Sequence, residues 1–426
     1  MNINLNLRIM KKQLYFLNVL FMALIVMVSV SSCNDEEDPV ALTLSTLMAG
    51  DIDLNGATAP NNVAAEPVII ATFSTNVDEA SASAANITLM RDYDNTVITT
   101  SITVSGSTIT ITPADRLATG ALHKLTFAAG LKATNGEMLT TEVSRTFTTD
   151  GFFAPSGMVA HWSFEDNAED HVGTYDASAE IDINYVAGRK ATAGKAADFN
   201  GTTSIIEVPN GDELINTQNF TLSFWMKTNS TDKTSGHFVI GLGAFYGLQF
   251  EVFGGYDGAK FAIRYNLSDT ATVAEDMWFP SEATYADNGG WQGWDYAKSI
   301  PANEMIALLK DTWLHVTYTY DGMEKSGKLY YNGEKMKSFD FDLWPDGDAK
   351  RVVTGMTYAG VAPEVVNELA FGFIQSRAGT LWDTETWGGY DFPEANHFKG
   401  QLDDIRIFNK ALSQAEVELM YDSEKP

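Results

Sequence analysis

The chain predicts an all-β protein made of two β-sandwich domains in series. Three observations carry that prediction. Short β-branched and aromatic runs, bounded by Gly, Asn, Asp and Pro, recur along nearly the whole length. Helical periodicity is confined to two places. Met305 to Lys310 is short, and Ser413 to Tyr421 offers a serine cap, an acid at Glu416, and Val417, Met420 and Tyr421 at helical spacing. Finally, 426 residues, 45% of them hydrophobic, can bury real cores but are too many for one ordinary core.

The first elements precede either sandwich. Lys11 and Lys12 lead into an apolar stretch from Leu14 to Val30, which breaks at Ser31, Ser32 and Cys33. A basic head, a short apolar segment and small residues at the break make a secretory signal. The stretch is about the minimum for a bilayer span, but serines and acids follow it, not a basic stop-transfer flank. With a cysteine at the break, the segment resembles a bacterial lipoprotein signal. The resemblance implies that residues 1–32 are removed, that Cys33 takes a diacylglycerol, and that the protein is an outer-membrane lipoprotein.

Asp35, Glu36, Glu37 and Asp38 then open an acidic tether over residues 33–43. This run resembles the surface-export signal of Bacteroidota lipoproteins, which implies exposure at the cell surface. Cys33 is the only cysteine, so with its thiol lipidated neither disulfides nor thiol catalysis remain.

Charge narrows the partners. The signal holds Arg8, Lys11 and Lys12 and no acid. Of 28 basic residues, 25 therefore remain against 56 acidic ones, a net charge of −31. Such a field repels nucleic acid and anionic membrane surfaces, and suits neutral partners, cationic partners or calcium.

The first domain spans residues 44–150. Strands are expected at Val68–Phe73, Ile87–Met90, Ser107–Thr112, His123–Phe127 and Val143–Thr148, with a turn at Asn135-Gly136. The Ile109-Thr110-Ile111-Thr112-Pro113 phrase, the run through Leu122, Leu125 and Phe127 to Gly130, and the closing Thr146-Phe147-Thr148-Thr149 resemble bacterial Ig-like domains. The resemblance implies a sandwich that serves as a spacer or small binding module. No titratable cluster in this segment argues for chemistry. Residues 151–157, with Gly, Pro and Ser, form a linker.

The second domain spans residues 158–426. Its landmarks, in order, are Val159-Ala160-His161-Trp162, Gly194 to Gly201, Phe220 to Lys227, Thr312 to Val316, Leu329 to Gly333, and Gly400 to Phe408 followed by Ala411-Leu412-Ser413. Their order and spacing resemble the laminin-G-like, concanavalin A-like family. The resemblance implies a two-sheet antiparallel jelly roll, an architecture many lectins use. Asn332-Gly333 is a hairpin turn. Asp403, Ile405 and Ile407 are expected on one face, with Leu402, Asp404, Arg406 and Phe408 on the other. Trp162, Trp225 and Trp313 sit within strands and read as scaffold packing.

Candidate chemistry lies in two insertions. One occupies the long connection between the strand ending near Tyr265 and the strand beginning at Trp313. Within it, six of the 21 residues from Asp276 to Tyr296 are aromatic. The other runs from Leu381 to Phe398, with five aromatics in 18 residues. Both are enriched more than twofold over the chain average of 12%. Long loops inside a compact domain are usually functional. Aromatic faces interleaved with carboxylates and amides suit sugar recognition: the ring stacks on the C–H face of a pyranose while polar groups orient its hydroxyls. The carbohydrate-binding candidates are Trp278, Trp291, Trp294, Tyr296, Trp382, Trp387 and Tyr390, fringed by Asp276, Asp287, Asn288, Gln292, Asp295, Asp383, Glu385 and Asp391.

A metal site is the second candidate. Laminin-G-like jelly rolls often hold calcium between the exit of the first strand and the last strand. Glu165, Asp166, Asp403 and Asp404 stand at those places and could supply part of the six to eight oxygens calcium needs.

Catalysis has less behind it. Hydrolases and lyases also occur on concanavalin A-like folds, and hydrolases of this fold commonly place acids as Glu-x-Asp-x-x-Glu on one strand. That pattern is absent, and Asp383-Thr384-Glu385 is the nearest fragment. The six histidines show no zinc spacing. The reading is a surface lipoprotein that binds polysaccharide or oligosaccharide without cleaving it, working with a polysaccharide-uptake complex. The alternatives are an adhesin for a host protein or glycoprotein, or a glycoside hydrolase or polysaccharide lyase.

Overall fold

The computed structural model describes residues 39–56, 58–280 and 293–426. The signal, Cys33 and the acidic run to Asp38 lie outside them, as do Tyr285, Asp287, Asn288, Trp291 and Gln292. Among the described residues no helix is long and apolar enough to cross a membrane.

The first domain contains strands β1 (Leu44–Ala49), β2 (Ile52–Asp53), β3 (Ile69–Phe73), β4 (Ile87–Arg91), β5 (Val97–Ile98), β6 (Thr100–Ser105), β7 (Thr108–Pro113), β8 (Leu122–Phe127) and β9 (Val143–Thr148). They form two antiparallel sheets, ordered β2-β1-β3-β7-β6 and β5-β4-β8-β9. Alternation sets the faces. Ile69, Ala71, Ile109 and Ile111 point inward from one sheet, and Ile87, Leu89, Leu125 and Phe127 from the other. Leu42 is also fully buried in this core and bridges Leu139, so the tether docks on the sandwich before β1 begins.

The second domain contains β10 (Met158–Trp162), β11 (Ala179–Ile181), β12 (Asn184–Ala187), β13 (Lys195–Asn200), β14 (Ile205–Val208), β15 (Asn219–Thr228), β16 (His237–Leu242), β17 (Leu248–Val252) and β18 (Ala259–Leu267). It continues with β19 (Thr272–Phe279), β20 (Asp295–Ala297), β21 (Trp313–Asp321), β22 (Ser326–Tyr331), β23 (Glu334–Asp340), β24 (Val353–Met356), β25 (Leu369–Phe371) and β26 (Lys399–Phe408). A nine-stranded sheet runs β12-β13-β26-β15-β21-β22-β23-β20, with β10 also on β26. An eight-stranded sheet runs β11-β14-β25-β16-β17-β18-β19, with β24 also on β18. One aromatic-rich core, including Trp162, Phe224, Phe250, Phe261 and Tyr318, fills the space between them.

Local sequence explains the sharper features. Asn332 and Gly333 both take positive φ (50° and 80°), as the two-residue hairpin turn requires. A Cβ on Gly333 would also stand 3.2 Å from the Glu418 backbone, where the C-terminal helix passes over the turn. That helix, Gln414–Glu424, starts with a capping box in which Ser413 and Glu416 exchange hydrogen bonds with each other's backbone N–H.

Two expectations are corrected. Strict alternation through β26 fails because Leu402, Ile405 and Ile407 all face the core. Asp404 adopts positive φ (47°), and the register against β15 shifts at this point, so β26 bulges and Asp403 and Asp404 both leave the core. The connection from β18 to β21 is also not all loop. It contains β19, which pairs with β18 along its whole length, then β20 and the helix Ala302–Leu309.

The two domains dock. Tyr93, Ala118 and Ala121 of the first, with Phe153 of the linker, pack against Tyr330, Phe408, Leu412, Val417 and Met420. Arg91 donates to Ser156 at 2.9 Å, and the Tyr93 hydroxyl donates to Glu416 at 3.2 Å.

Candidate functional site

The outward face of the eight-stranded sheet brings the two insertions together. Cross-strand registers place Phe238 opposite Glu251, Glu251 opposite Lys260, and Lys260 opposite Trp278. Directly opposed residues share a face, so these four form one row across β16, β17, β18 and β19. Met277 and Phe279, the strand neighbours of Trp278, belong to the core, which turns Trp278 outward.

At one end of the row the Trp278 ring is 46% exposed. It packs on Phe253 at 5.1 Å between centroids, with the Lys260 ammonium 5.3 Å from its ring. At the other end Trp387, 41% exposed, packs edge-on against the buried Phe238. Trp387 also contacts Trp382, and Trp382 contacts the exposed Phe245. Three strand spacings separate Phe238 from Trp278, about 14 Å at the usual strand separation.

The middle of the row is polar and paired. Lys260 Nζ lies 3.5 Å from Glu251 Oε1 and 3.5 Å from Asp276 Oδ2. Burial pushes the Glu251 carboxyl above its ordinary range, and Lys260 only partly offsets that.

Hydrogen bonds just before and within the second insertion tie it to the sandwich. Arg377 donates from its backbone N–H and from Nη2 to Glu207, each at 2.7 Å. Burial raises the Glu207 carboxyl, but the Arg377 and Ser376 hydrogen bonds outweigh it and leave the pKa lowered. The Tyr390 hydroxyl donates to the Thr203 carbonyl, and His397 Nε2 contacts the Tyr390 carbonyl at 2.8 Å. Gly241 marks the close approach, since a Cβ there would meet the Ile374 carbonyl at 2.0 Å.

Beyond Trp278 the face turns into a cleft of about 420 Å³. Its walls include Asp276 and Trp278 from β19, and Trp294 and Asp295 at β20, with Lys337 and Phe339 behind. Trp294 is half-buried and packs on Trp344 at 4.4 Å. Lys337 pairs with Asp295 at 2.8 Å.

The sequence candidates thus have different fates. Trp278 and Trp387 are exposed, while Trp294, Trp382 and Tyr390 are half-buried. Tyr296 is a correction: its ring is 3% exposed beneath Lys335 and has no face to offer a sugar. Trp291 lies outside the described residues. Phe238, Glu251, Lys260 and Phe245 were missed. For Glu251 a signal existed, because Leu248-Gln249-Phe250-Glu251-Val252 alternates and sends Gln249 and Glu251 outward.

The proposed calcium ligands are also a correction. Glu165 accepts from the Lys195 backbone N–H, and Asp166 pairs with Lys195 Nζ at 2.5 Å. Asp403 and Asp404 instead meet guanidinium groups. Arg189 reaches Asp403 at 2.5 Å and Asp404 at 2.7 Å, and Arg406 reaches Asp404 at 3.0 Å. Burial raises the Asp404 carboxyl, yet Arg406, His161 and Arg189 together hold it well below the ordinary carboxylate range. Burial and the Asp404 charge push Asp403 up. Among the described residues, no group of three or more His, Cys, Asp or Glu is arranged to hold a metal ion.

Fold and site together define a two-domain β-sandwich protein: an Ig-like module followed by a concanavalin A-like module. Comparison with known families agrees. Residues 53–149 match the family model described as bacterial Ig-like domain, and residues 200–364 match that of the concanavalin A-like lectin/glucanases superfamily. No curated protein sequence matches significantly. Among solved structures, the chain is similar to the botulinum neurotoxin type G receptor binding domain (16% identity, TM-score 0.36, covering 63% of this chain and 51% of that one). It is likewise similar to the binding domain of Paraclostridial mosquitocidal protein 1 (18%, 0.39, 63% and 52%). A third is the botulinum neurotoxin serotype D ligand binding domain in complex with N-acetylneuraminic acid (17%, 0.38, 63% and 51%). The chain spans about half the length of these structures.

Proposed function

We propose that this protein binds an extended glycan, without cleaving it, across the outward face of the eight-stranded sheet. The observation that carries the reading is the row from Trp387 through Phe238, Glu251 and Lys260 to Trp278. Trp387 sits on Phe238, and Trp278 lies three strands from Phe238, about 14 Å at the usual strand separation, a spread that suits successive rings of a chain better than one pyranose. Between them the Glu251 and Asp276 carboxylates accept from sugar hydroxyls and Lys260 donates to them. The anchored insertion keeps Trp387 in place before ligand arrives, which lowers the ordering cost of binding.

The same geometry argues against hydrolysis. A glycosidase needs two carboxylates flanking the scissile bond, with room for the bond or a water between them. Here the Lys260 ammonium occupies the space between Glu251 and Asp276.

In the same reading Cys33 carries the lipid, and the Ig-like domain, fixed to the lectin-like domain, displays the binding face away from the outer membrane as part of polysaccharide capture. Its support is the signal-like segment, the acidic run after Cys33 and the exclusion of anionic partners by charge.

Affinity electrophoresis against a broad panel of soluble polysaccharides tests the binding. Retardation by at least one, without product release, is expected. No retardation across the panel overturns it, and product release revives the hydrolase. Cys33→Ala should release the protein from the membrane fraction, and persistence there would refute the anchor.

A further inference from the structure

We propose that the cleft between the two domains is a second ligand site, which takes the end of a neutral saccharide. The cleft measures about 670 Å³, within the range of small-molecule pockets. Both domains build it. Arg116 and Asp150 come from the first, Phe152 from the linker, and His161, Ser163, Glu165, His171 and Asp404 from the second.

Its chemistry is balanced. Arg116 brings a positive charge and Asp150 and Glu165 bring negative ones, while Asp404 is neutralised by Arg189 and Arg406. Neither Arg116 nor the Ser163 hydroxyl has a side-chain partner among the described residues, so both are available to a ligand. His161 Nε2 is bound to Asp404 Oδ1 at 2.7 Å. Burial lowers the pKa of the His161 ring and Asp404 only partly offsets it, so the neutral form leaves Nδ1 as an acceptor. Phe152, 48% exposed, adds an apolar ring to the wall. Donors and acceptors of both kinds around one aromatic ring match a polyhydroxyl ring better than a net anion or cation.

The domain docking makes this cleft a fixed shape. The Tyr93, Phe153 and Met420 cluster and the Arg91–Ser156 hydrogen bond hold its two walls together. The site is independent of the outward face, which lies on the other sheet.

Saturation-transfer NMR on the full chain tests it, with the methyl glycosides of glucose, galactose, mannose, xylose and N-acetylglucosamine as probes. At least one should bind saturably, and its binding should survive Trp278→Ala combined with Trp387→Ala. Arg116→Ala, an exposed change, should weaken it tenfold or more, and Thr192→Trp at the cleft wall should abolish it. The proposal is overturned if no glycoside binds, if either cleft variant leaves affinity unchanged, or if the tryptophan pair alone removes binding. Failure of polysaccharide retardation would leave this site standing, and failure here would leave the outward face standing.

Discussion

On the outward face of the nine-stranded sheet, Trp225 is 1% exposed, whereas on the outward face of the eight-stranded sheet, Trp278 is 46% exposed. Both are strand tryptophans flanked by core residues, Phe224 and Met226 for one, Met277 and Phe279 for the other. What separates them is cover. The C-terminal helix lies over Trp225: Tyr421 stacks on it at 5.9 Å, Glu424 accepts from its indole N–H at 2.9 Å, and the Arg189 guanidinium sits 5.0 Å from its ring. Among the described residues, Trp278 has the tilted Phe253 ring at 5.1 Å and the Lys260 ammonium at 5.3 Å beside it, and it stays 46% exposed. A ring's availability is therefore decided by a segment distant in sequence, not by the strand that carries it.

The sealed face should fail first when its ionic seal is cut. Glu424 is fully buried and holds Arg406 at 2.6 Å and Arg189 at 3.4 Å. Glu424→Ala leaves two buried guanidinium groups short of a partner, a change that costs about 3–5 kcal/mol. Denaturant unfolding should show that loss while polysaccharide retardation per folded molecule stays unchanged. A loss under about 1 kcal/mol would mean that the helix is not the cover described here.

The next test is acidification. His315 stacks on Trp225 at 4.9 Å, with Tyr421 6.3 Å away, and bonds to Ser223 at 2.7 Å. Burial, with Arg406 and Arg189, pushes its pKa down to about 3. The folded pKa lies below the unfolded value near 6.5, so the unfolded chain takes the proton first. The stabilisation is complete above pH 6.5 and is lost as pH falls toward 3, at about 1.4 kcal/mol per pH unit. Between pH 7 and pH 5 that amounts to about 2 kcal/mol. His315→Gln should remove that share of the pH dependence, and an unaltered slope would refute the assignment.

The open face predicts the reverse pattern: affinity changes with little effect on stability. Trp278→Ala and Trp387→Ala should each weaken glycan binding about tenfold, roughly 1.4 kcal/mol per stacked ring. Trp294→Ala should do less, because its ring is half spent on Trp344. Tyr296→Ala should lower stability and leave affinity of the folded protein alone. If Trp278→Ala and Trp387→Ala bind as tightly as the parent, the row across the sheet is not the site.

This contrast also marks what the sequence could and could not reveal. The hairpin at Asn332-Gly333, the Ser413 cap and the strand alternation are local, and each was legible because the residues that cause it sit within a few positions. The bulge at Asp404 was not, because the apparently regular Asp403-Asp404-Ile405-Arg406-Ile407 run turns both carboxylates to Arg189, more than 200 residues away. The aromatic insertions stood out by composition, yet composition could not tell Trp278 from Tyr296. Both lie on edge strands, but Trp278 alternates outward between core Met277 and Phe279, whereas Tyr296 is covered, with Lys335 over its ring. The four carboxylates read as calcium ligands show the same limit: they were visible in the sequence, but the cationic partners they meet, Lys195, Arg189 and Arg406, were scattered.

The smallest effect expected tests the centre of the open row. Lys260 is bonded to two carboxylates at 3.5 Å, a partly exposed arrangement of modest worth. Lys260→Met keeps the stem under Trp278 but removes the ammonium. Glycan affinity should fall by about threefold, close to 0.7 kcal/mol. Without the cation, the Glu251 carboxyl, already raised by burial, rises further, so binding should also weaken at a higher pH than in the parent. An unchanged affinity and pH profile would mean that the sugar rests on the two tryptophans alone, with the polar centre serving only the sheet.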